Sequence, residues 1–315
     1  MIVNFVIIVG RIGPGTAGTE SGLFFGPSDE MSYRSRSLTG SLISTMGGVD
    51  RFVESGHRIR LHGSVYPESD ITAPPWIRTL SSERLRAYKD EAQSIARCGR
   101  PICDAEICCA LTHRSVFKEL AKNIRESGDW DPYPQVFPEY DTPILYEGDP
   151  FAKQLDRREE LFVVLEADAI PLPNLSYIIE YGREMQASEA HCSLLHGGAA
   201  LQRRLELAPP SPRPLMGVKR YGTYSMTFTG RGVFSACEIL HRDDKILVPV
   251  DDLFMASGRF AVPSIPMFEH DYSKESSIAP ERSQLQERMN RGEFKTDHGQ
   301  INSIRTNLRH RGHRR

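Results

Sequence analysis

The hydrophobic pattern of the chain interleaves short apolar runs with a longer stripe of helical period. Residues 1–10 and residues 161–165 are apolar runs rich in β-branched or aromatic side chains. Both are too short to cross a membrane and predict buried strands, the second of them central in a sheet. Residues 104–124 begin with acids and then place apolar side chains on one helical face, which predicts a long helix against the core. The combination predicts an α/β fold.

The remaining patterned segments predict elements that extend this layout. None of them repeats another, so the chain contains no internal repeat. Periodicity, β-branched content and flanking turn residues favour the following assignments. They are a helix at 35–46, an alternating outer strand at 57–65, a strand at 224–229, a helix around 231–241 and a proline-bounded strand at 246–249.

Proline, glycine and charge mark the connections and the domain boundary. Residues 127–160 are rich in prolines and acids, and residues 207–218 contain a proline-rich segment, so both predict loop excursions. Residues 10–18 are glycine-rich but match neither a Walker loop nor GxGxxG leading into a helix, which favours a flexible loop. We therefore predict one domain over 1–300 and a separate tail over 301–315.

The overall charge hides an uneven distribution. The 315 residues carry a formal net charge of −2, yet the last 15 contain five arginines and no acid. The preceding 300 residues therefore hold 34 basic against 41 acidic side chains, a net charge of −7. The tail has low hydrophobicity and no periodicity, which predicts disorder. Its arginines could attract an anionic acceptor such as a phosphorylated glycan, a membrane surface or nucleic acid.

The amino terminus and the cysteines indicate a reducing compartment. No basic region precedes the first apolar run, and no run is long enough to span a bilayer, so we expect a cytoplasmic protein without a signal peptide or transmembrane segment. Six cysteines permit disulfides, but a chain of this size needs none. Four of them, Cys98, Cys103, Cys108 and Cys109, lack the CxxC spacing of zinc knuckles and predict buried thiols on a helix.

Two acidic side chains follow the predicted central strand. Glu166 and Asp168 are separated by one residue at its carboxyl end, the end at which open α/β sheets bind ligands. Two carboxylates there can bind a hard divalent cation, which keeps water and substrate phosphate in its remaining positions. Such a cation neutralises charge on a departing nucleoside diphosphate. The structural alternative is that the acids cap the turn after the strand.

Four short segments are informative because of their order. Residues 106–113 read Glu-Ile-Cys-Cys-Ala-Leu-Thr-His, residues 164–169 read Val-Leu-Glu-Ala-Asp-Ala, and residues 222–252 run from Gly-Thr-Tyr to Val-Pro-Val-Asp-Asp. Residues 276–278 read Ser-Ser-Ile. In this order they resemble the Glu-x-Gly-Cys-x-x-Ser-His, Leu-Glu-Asp-Asp-Ala, Gly-x-x-Tyr with Pro-x-Asp, and Ser-x-Ile motifs of glycosyltransferase family 25. That family includes lipooligosaccharide and collagen galactosyltransferases.

The resemblance implies a fold, a reaction and a metal. The expected fold is GT-A-like, a Rossmann-like mixed sheet flanked by helices in a single domain. The expected reaction transfers a hexose of glucose or galactose type from a UDP-sugar to an acceptor hydroxyl, with inversion at the anomeric carbon. The implied cofactor is Mn²⁺ or Mg²⁺, with Glu166 and Asp168 as ligands and His270, at the end of a further predicted strand, completing the shell. Ala167 replaces the family's middle acid, which leaves two ligands but removes a hydrogen-bonding side chain.

The resemblance also implies donor-binding residues. Arg34 and Arg36 resemble the family's arginines after the first strand, and guanidinium groups can pair with a diphosphate. Glu106 and His113 belong to the helical motif, where His113 is expected to shape the donor site. The structural alternatives are solvated arginines and a histidine that is simply buried.

Inversion requires a general base that takes the proton of the acceptor hydroxyl. Asp251 and Asp252 are the available pair after the predicted strand at 246–249, and the residues do not decide between them. Either acid could instead cap the apolar segment that follows. The resemblance places Asp251 and Tyr224 on the acceptor side.

Three hypotheses for function follow. The first is a metal-dependent glycosyltransferase that acts on a glycan or a lipid-linked sugar. The second uses the same donor chemistry on a hydroxylated base in DNA, as in phage-type DNA glucosyltransferases, with the basic tail binding the nucleic acid. The third, prompted by Ala167, is a catalytically dead module that binds a sugar nucleotide.

Overall fold

An eight-stranded mixed sheet forms the centre of the protein, with strand order β2-β3-β1-β6-β10-β8-β11-β9. The computed structural model describes residues 1–9, 24–25, 33–68, 78–126, 145, 149–188, 190–194, 213–216, 222–256, 260–271, 283–285, 287–288 and 291. The strands are β1 Ile2–Val9, β2 Phe24–Phe25, β3 Arg58–Gly63, β4 Val65–Pro67, β5 Arg78–Leu80, β6 Glu160–Glu166, β7 Ala169–Pro171, β8 Cys192–Leu194, β9 Pro214–Met216, β10 Ser225–Thr229, β11 Phe260–Pro263 and β12 Phe268–His270. Two small separate sheets pair β4 with β5 and β7 with β12.

The helices cover both faces of this sheet. They are α1 Tyr33–Thr45, α2 Val49–Glu54, α3 Ser82–Arg86, α4 Glu91–Cys98, α5 Asp104–Glu126, α6 Pro150–Arg157, α7 Ile178–Ala187, α8 Gly230–His241 and α9 Val250–Ala256, with a 3₁₀ helix at Pro173–Tyr177. The core on one face joins α5, α8 and α9 to the sheet, and the core on the other face joins α1, α2 and α7 to it. The predicted α/β class is therefore confirmed, as a mixed sheet flanked by helices.

Strand direction changes at β6. β1 pairs in parallel with both β3 and β6, whereas β10 pairs with β6 antiparallel. The carboxyl ends of β1, β3 and β6 therefore share one edge with the amino end of β10. Along β1, Val6 and Ile8 belong to the core under α5, while Val3, Phe5 and Ile7 belong to the core under α1. This alternation explains why the run has no polar face.

The strongest sequence signals are confirmed. The predicted strands at 1–10, 161–165 and 224–229 correspond to β1, β6 and β10, and β6 is central as expected. The predicted helices at 35–46, 104–124 and 231–241 correspond to α1, α5 and α8. The predicted strand at 57–65 corresponds to β3, but its predicted outer position is wrong, because β2 pairs with it on the side away from β1. All six cysteines are free thiols.

Three further predictions need correction. The excursion over 127–160 contains α6, whose Asp149 side chain accepts a hydrogen bond from Phe151 N at 2.9 Å and caps the helix, with Pro150 in the first turn, where proline is favourable. The excursion over 207–218 contains β9, an edge strand in which Pro214 is the first residue, a position that needs no ladder donor. Residues 246–249 form no strand, because Ile246 N donates instead to Tyr88 O at 2.9 Å.

Other sequence predictions lie outside the described residues. They are the glycine-rich loop at 10–18, the Ser-Ser-Ile segment at 276–278 and the basic tail at 301–315. Within the part of the chain that the structure describes, no helix is long and apolar enough to cross a membrane.

Two helical glycines predict opposite stability changes. A Cβ on Gly232 in α8 would lie 1.8 Å from the backbone oxygen of His191, whereas a Cβ on Gly40 in α1 would meet nothing within 4 Å. We expect Gly232→Ala to lower the free energy of unfolding by about 1–3 kcal/mol because backbone must move. Gly40→Ala should raise it by about 0.5–1 kcal/mol through helix propensity. Urea denaturation of both variants measures this, and equal effects would contradict the close approach at Gly232.

Candidate active site

The strand registers bring polar side chains into one row at the carboxyl edge of the sheet. Ile8 in β1 pairs with His62 in β3 on one side and with Glu166 in β6 on the other. Directly paired residues project to the same face of a sheet, and Ile8 belongs to the core under α5. His62 and Glu166 therefore share the face that α5 covers.

Helix α5 approaches this row through a backbone contact. Thr112 in α5 accepts a hydrogen bond on Oγ1 from Val65 N at 2.9 Å, which ties the helix to β4 just beyond the end of β3. The next residue, His113, is 1% exposed, and its Nε2 lies 3.3 Å from Glu166 Oε1. The helix stripe that predicted core packing therefore also brings an imidazole to the end of β6.

The antiparallel strand β10 supplies a second partner to Glu166. Glu166 N donates to Tyr224 O at 2.9 Å, which continues the ladder one step beyond Ser225 and Leu165. Thr223 Oγ1 then donates to Glu166 Oε1 at 2.7 Å. Burial raises the pKa of Glu166, but the bond and charge of His113 and the bond of Thr223 lower it by more, so the net shift is downward. The contacts hold Glu166 as a carboxylate.

Asp168 lies in a second polar group beside the first. Its Oδ2 is 3.0 Å from His270 Nε2, and its backbone oxygen accepts from Asp271 N at 2.9 Å. His270 arrives there because β12 pairs antiparallel with β7, in register with Ala169. Burial and the negative charge of Glu166 raise the pKa of Asp168 despite its histidine partner.

One carboxylate oxygen of Asp168 is available to bind a ligand. Asp168 Oδ1 is buried and has no hydrogen-bond partner among the residues that the structure describes. A buried carboxylate oxygen without a donor is costly, and such atoms in native proteins call for a ligand, water or ion. This atom fits a hard cation, which prefers oxygen ligands.

Tyr224 joins the two groups. It is 5% exposed, its backbone oxygen holds Glu166, and its ring makes an edge contact with the His270 ring at 5.0 Å between centroids. The predicted acceptor-side tyrosine is thus buried against the imidazole that pairs with Asp168.

Asp251 and Asp252 both lie in the first turn of α9 but have different neighbours. Asp251 Oδ2 accepts from Gly222 N at 3.2 Å, and its Oδ1 accepts from Asp252 N at 3.1 Å. The charge of Asp251 acts on the Cys109 thiol, whereas that of Asp252 acts on the Cys98 thiol at the end of α4. Asp251 is therefore the acid that anchors the segment carrying Thr223.

Glu106 has a structural partner. Arg100 binds it with both guanidinium arms, at 2.8 Å to Oε2 and 2.5 Å to Oε1, and Cys103 N also donates to Oε2 at 3.1 Å. The last contact is the reciprocal half of a capping box, in which the third helical residue binds the N-cap amide. Glu106 is 2% exposed, so this buried pair fixes the start of α5 and, through it, the position of His113.

The predicted arginines lie on α1. This helix packs against β7, the strand that follows Asp168, and so lies beside the second polar group. Arg36 is partly buried, and the side chain of Arg34 lies outside the described residues. Their role at the donor stays a prediction.

Sequence reasoning missed Cys109, Thr223 and His62 as members of the site. Ligand atoms of Cys109, His113 and Glu166 all lie within 4.8 Å of one another. Burial and the charges of Glu166, Asp251 and Glu106 raise the pKa of the Cys109 thiol well above its usual value. The i, i+4 spacing of Cys109 and His113 was the available signal. Nothing in the sequence pattern indicates that Glu166 completes the trio, because that depends on register.

Comparison with known proteins assigns the chain to no family. No family model matches it, and no curated protein matches it significantly. The resemblance seen in the four short motifs therefore stays a prediction. The chemistry of the site rests on its geometry, and that geometry joins Glu166, His113 and Thr223 in one group and Asp168 and His270 in another.

His62 predicts a pH dependence of stability. Burial lowers its pKa from 6.5 to about 4, with the charge of His113 adding to the shift, and its Nδ1 bonds to Gly63 O at 2.8 Å. The unfolded chain therefore takes up this proton at a higher pH than the folded chain. The contribution of His62 to stability is therefore fully present above pH 6.5 and is lost as the pH decreases towards 4.

Between pH 7 and pH 5, His62 alone should cost about 2 kcal/mol of unfolding free energy. We expect the free energy of unfolding of His62→Gln to fall by correspondingly less than that of the unmodified protein over the same pH interval. Urea denaturation of both proteins at pH 7 and pH 5 measures this difference. Comparing the two proteins removes the contribution of carboxylates that titrate equally in both. An identical pH dependence in the two proteins would show that His62 is not held neutral in the folded state.

Proposed function

We propose that the protein is a metal-dependent, inverting glycosyltransferase that moves a hexose from a UDP-sugar to the hydroxyl of a glycan or lipid-linked acceptor. The observation that carries the proposal is the meeting of Glu166, Asp168 and the Asp251 segment at one edge of a mixed α/β sheet. Acids at the carboxyl ends of strands favour binding of a metal-complexed phosphate ligand. A GT-A-like topology is part of the proposal.

The acidic groups fit the implied cation. Asp168 offers a buried oxygen that no described residue uses, and Glu166 is a carboxylate that is 30% exposed. His270 provides an imidazole on the same side, which Mn²⁺ accepts. A Mn²⁺ or Mg²⁺ ion bound by these residues would supply charge neutralisation at the diphosphate leaving group.

We assign the general base to Asp251. In an inverting transfer, a carboxylate takes the acceptor proton while the hydroxyl oxygen attacks the anomeric carbon and the bond to the nucleoside diphosphate breaks. Asp251 contacts Gly222, beside the threonine that binds Glu166, whereas the charge of Asp252 acts on the end of α4. The same bond to Gly222 N keeps the Asp251 side chain oriented.

The remaining residues orient the donor in this proposal. α1 packs against β7 beside Asp168, so Arg34 and Arg36 are the cations proposed to pair with the diphosphate. His113 holds Glu166 in place, and Glu106 acts through Arg100 and the start of α5. Tyr224 supports the imidazole of His270 from the acceptor side.

The direct test is release of UDP from UDP-glucose and UDP-galactose in the presence of Mn²⁺. Asp168→Asn should reduce metal-dependent release by about 100-fold or more, since a ligand and a buried negative charge are both lost. Asp50→Asn, an exposed acid on α2, is the matched control and should leave the rate unchanged. Donor binding without turnover under any divalent metal would instead support a sugar-nucleotide-binding module.

The assignment of the base predicts a difference between neighbouring acids. Asp251→Asn should lower kcat by about 100- to 10,000-fold, the usual contribution of a general base, while leaving donor affinity largely intact. Asp252→Asn should change kcat by less than about 10-fold, because the acid bonded to the segment beside Glu166 is Asp251. Single-turnover rates with saturating donor measure both. A larger loss in Asp252→Asn would transfer the role to Asp252.

A further inference from the structure

Three side chains with different donor atoms converge where α5 meets the end of β6. Cys109 and His113 are one helical turn apart on α5, and Glu166 approaches from the sheet. Their sulfur, nitrogen and oxygen atoms lie within 4.8 Å of one another. The cysteine is partly exposed, so the group is reachable from solvent. We call it the thiol trio.

We propose that the thiol trio is a binding site for Zn²⁺ or a similarly thiophilic divalent ion. Thiolate, imidazole and carboxylate are the three side-chain ligands that zinc uses, and three of them leave one position for water. This donor set differs from the oxygen-rich set of Asp168, which suits Mn²⁺ or Mg²⁺. In a mixture of divalent ions, the thiol trio would therefore bind zinc rather than the Mn²⁺ or Mg²⁺ that suits the Asp168 set.

The nitrogen–oxygen distance within the thiol trio suits a tetrahedral ion. Two nitrogen or oxygen ligands of tetrahedral zinc are separated by about 3.3–3.5 Å, given bonds of about 2.0–2.2 Å. His113 Nε2 and Glu166 Oε1 are 3.3 Å apart. A hydrogen bond between an imidazolium and a carboxylate is shorter, about 2.7–2.9 Å. The observed separation thus matches the edge of a coordination tetrahedron better than a strong ion pair.

The second ring nitrogen of His113 provides an independent observation. His113 is 1% exposed, and its Nδ1 is buried without a hydrogen-bond partner among the described residues. A buried imidazole nitrogen without a partner carries a desolvation cost. No described residue bonds to Nδ1, so Nδ1 can carry the ring proton while the Nε2 lone pair binds an ion beside Glu166.

The local charge favours a cation. The negative charges of Glu166, Asp251 and Glu106 all act on the Cys109 sulfur. When the ion binds, the sulfur gives up its proton to solvent and coordinates as thiolate, and the metal charge offsets the thiolate and Glu166. No electron transfer is involved.

Glu166 belongs to both the thiol trio and the proposed catalytic cation site. If the proposed function is correct, zinc bound to the thiol trio occupies Glu166. Glu166 then no longer binds the catalytic cation, and transfer is inhibited. This consequence rests on the proposed function, but zinc binding itself does not. The two can therefore be tested separately, because metal binding is measured without substrate.

The test uses the full-length protein after removal of metals with a chelator. Co²⁺ serves as a spectroscopic substitute for Zn²⁺, because a cobalt–thiolate bond gives a charge-transfer absorption that nitrogen and oxygen ligands do not. We expect this band to appear on Co²⁺ addition, to disappear on Zn²⁺ addition, and to be absent in Cys109→Ser. Cys109→Ala provides a second variant in case the first fails to fold, with circular dichroism as the check.

α8 offers a matched control within the same chain. Cys237 and His241 have the same i, i+4 spacing, with Sγ and Nδ1 3.8 Å apart, but no described carboxylate completes a metal group there. Cys237→Ser should therefore keep the cobalt band. Glu166→Gln should weaken Zn²⁺ binding by more than about 10-fold in a chelator competition, and Asp168→Asn, which removes a neighbouring charge but no ligand, should weaken it by less.

The outcomes separate the two proposals. Loss of Mn²⁺-dependent UDP release in Asp168→Asn with an intact cobalt band supports both sites. An intact band in a protein without transferase activity supports the thiol trio and overturns the proposed function alone. Absence of a band in the unmodified protein, its persistence in folded Cys109 variants, or its equal loss in Cys237→Ser would overturn the zinc site.

Discussion

The burial of β6 on every side is the constraint on which the rest of the site depends. β6 is paired with β1 along one edge and with β10 along the other, and residues 161–165 are covered on both faces. A charge placed within this strand would carry a desolvation penalty without compensation. Glu166 is the residue at which the strand emerges after the buried run 161–165, so its carboxylate lies at the carboxyl end of the strand.

The direction change at β6 then determines what that charge meets. β3 is parallel to β6, so His62 near the carboxyl end of β3 lies at the same edge of the sheet as Glu166. β10 is antiparallel to β6, so the first residues of β10 also lie at that edge. Glu166 is consequently bonded to Thr223 from the neighbouring strand and to His113 from the covering helix. Asp168, beyond the turn, pairs instead with His270 from a separate small sheet.

The group around Glu166 and the group around Asp168 interact electrostatically, but their ligand atoms differ in chemical softness. The charge of Glu166 raises the pKa of Asp168, so neither acid can be treated alone. One group contains sulfur and nitrogen, and the other is dominated by oxygen with a single imidazole. A small divalent ion would be distributed between them according to ligand preference rather than charge. Glu166 is a ligand in both of the proposed metal sites.

The sequence patterns predict the helices and strands more accurately than the contacts between them. The apolar run of β6 and the stripe of α5 are local patterns, and both were read correctly from periodicity. Residues 246–249 were wrongly predicted as a strand, because an apolar run can be buried through a single backbone contact with Tyr88 and without a ladder. The pairing of Asp168 with His270 and the approach of Cys109 to Glu166 depend on register and helix docking, which no local pattern encodes.

The ladder between β6 and β10 joins two side chains that are distant in sequence. Glu166 and Thr223 are 57 positions apart, yet their contact is decided by the pairing of Leu165 with Ser225 and not by the length of chain between them. The entropic cost of a longer connection grows only slowly with its length. The contact between the Glu166 carboxylate and the Thr223 hydroxyl is therefore a property of strand register.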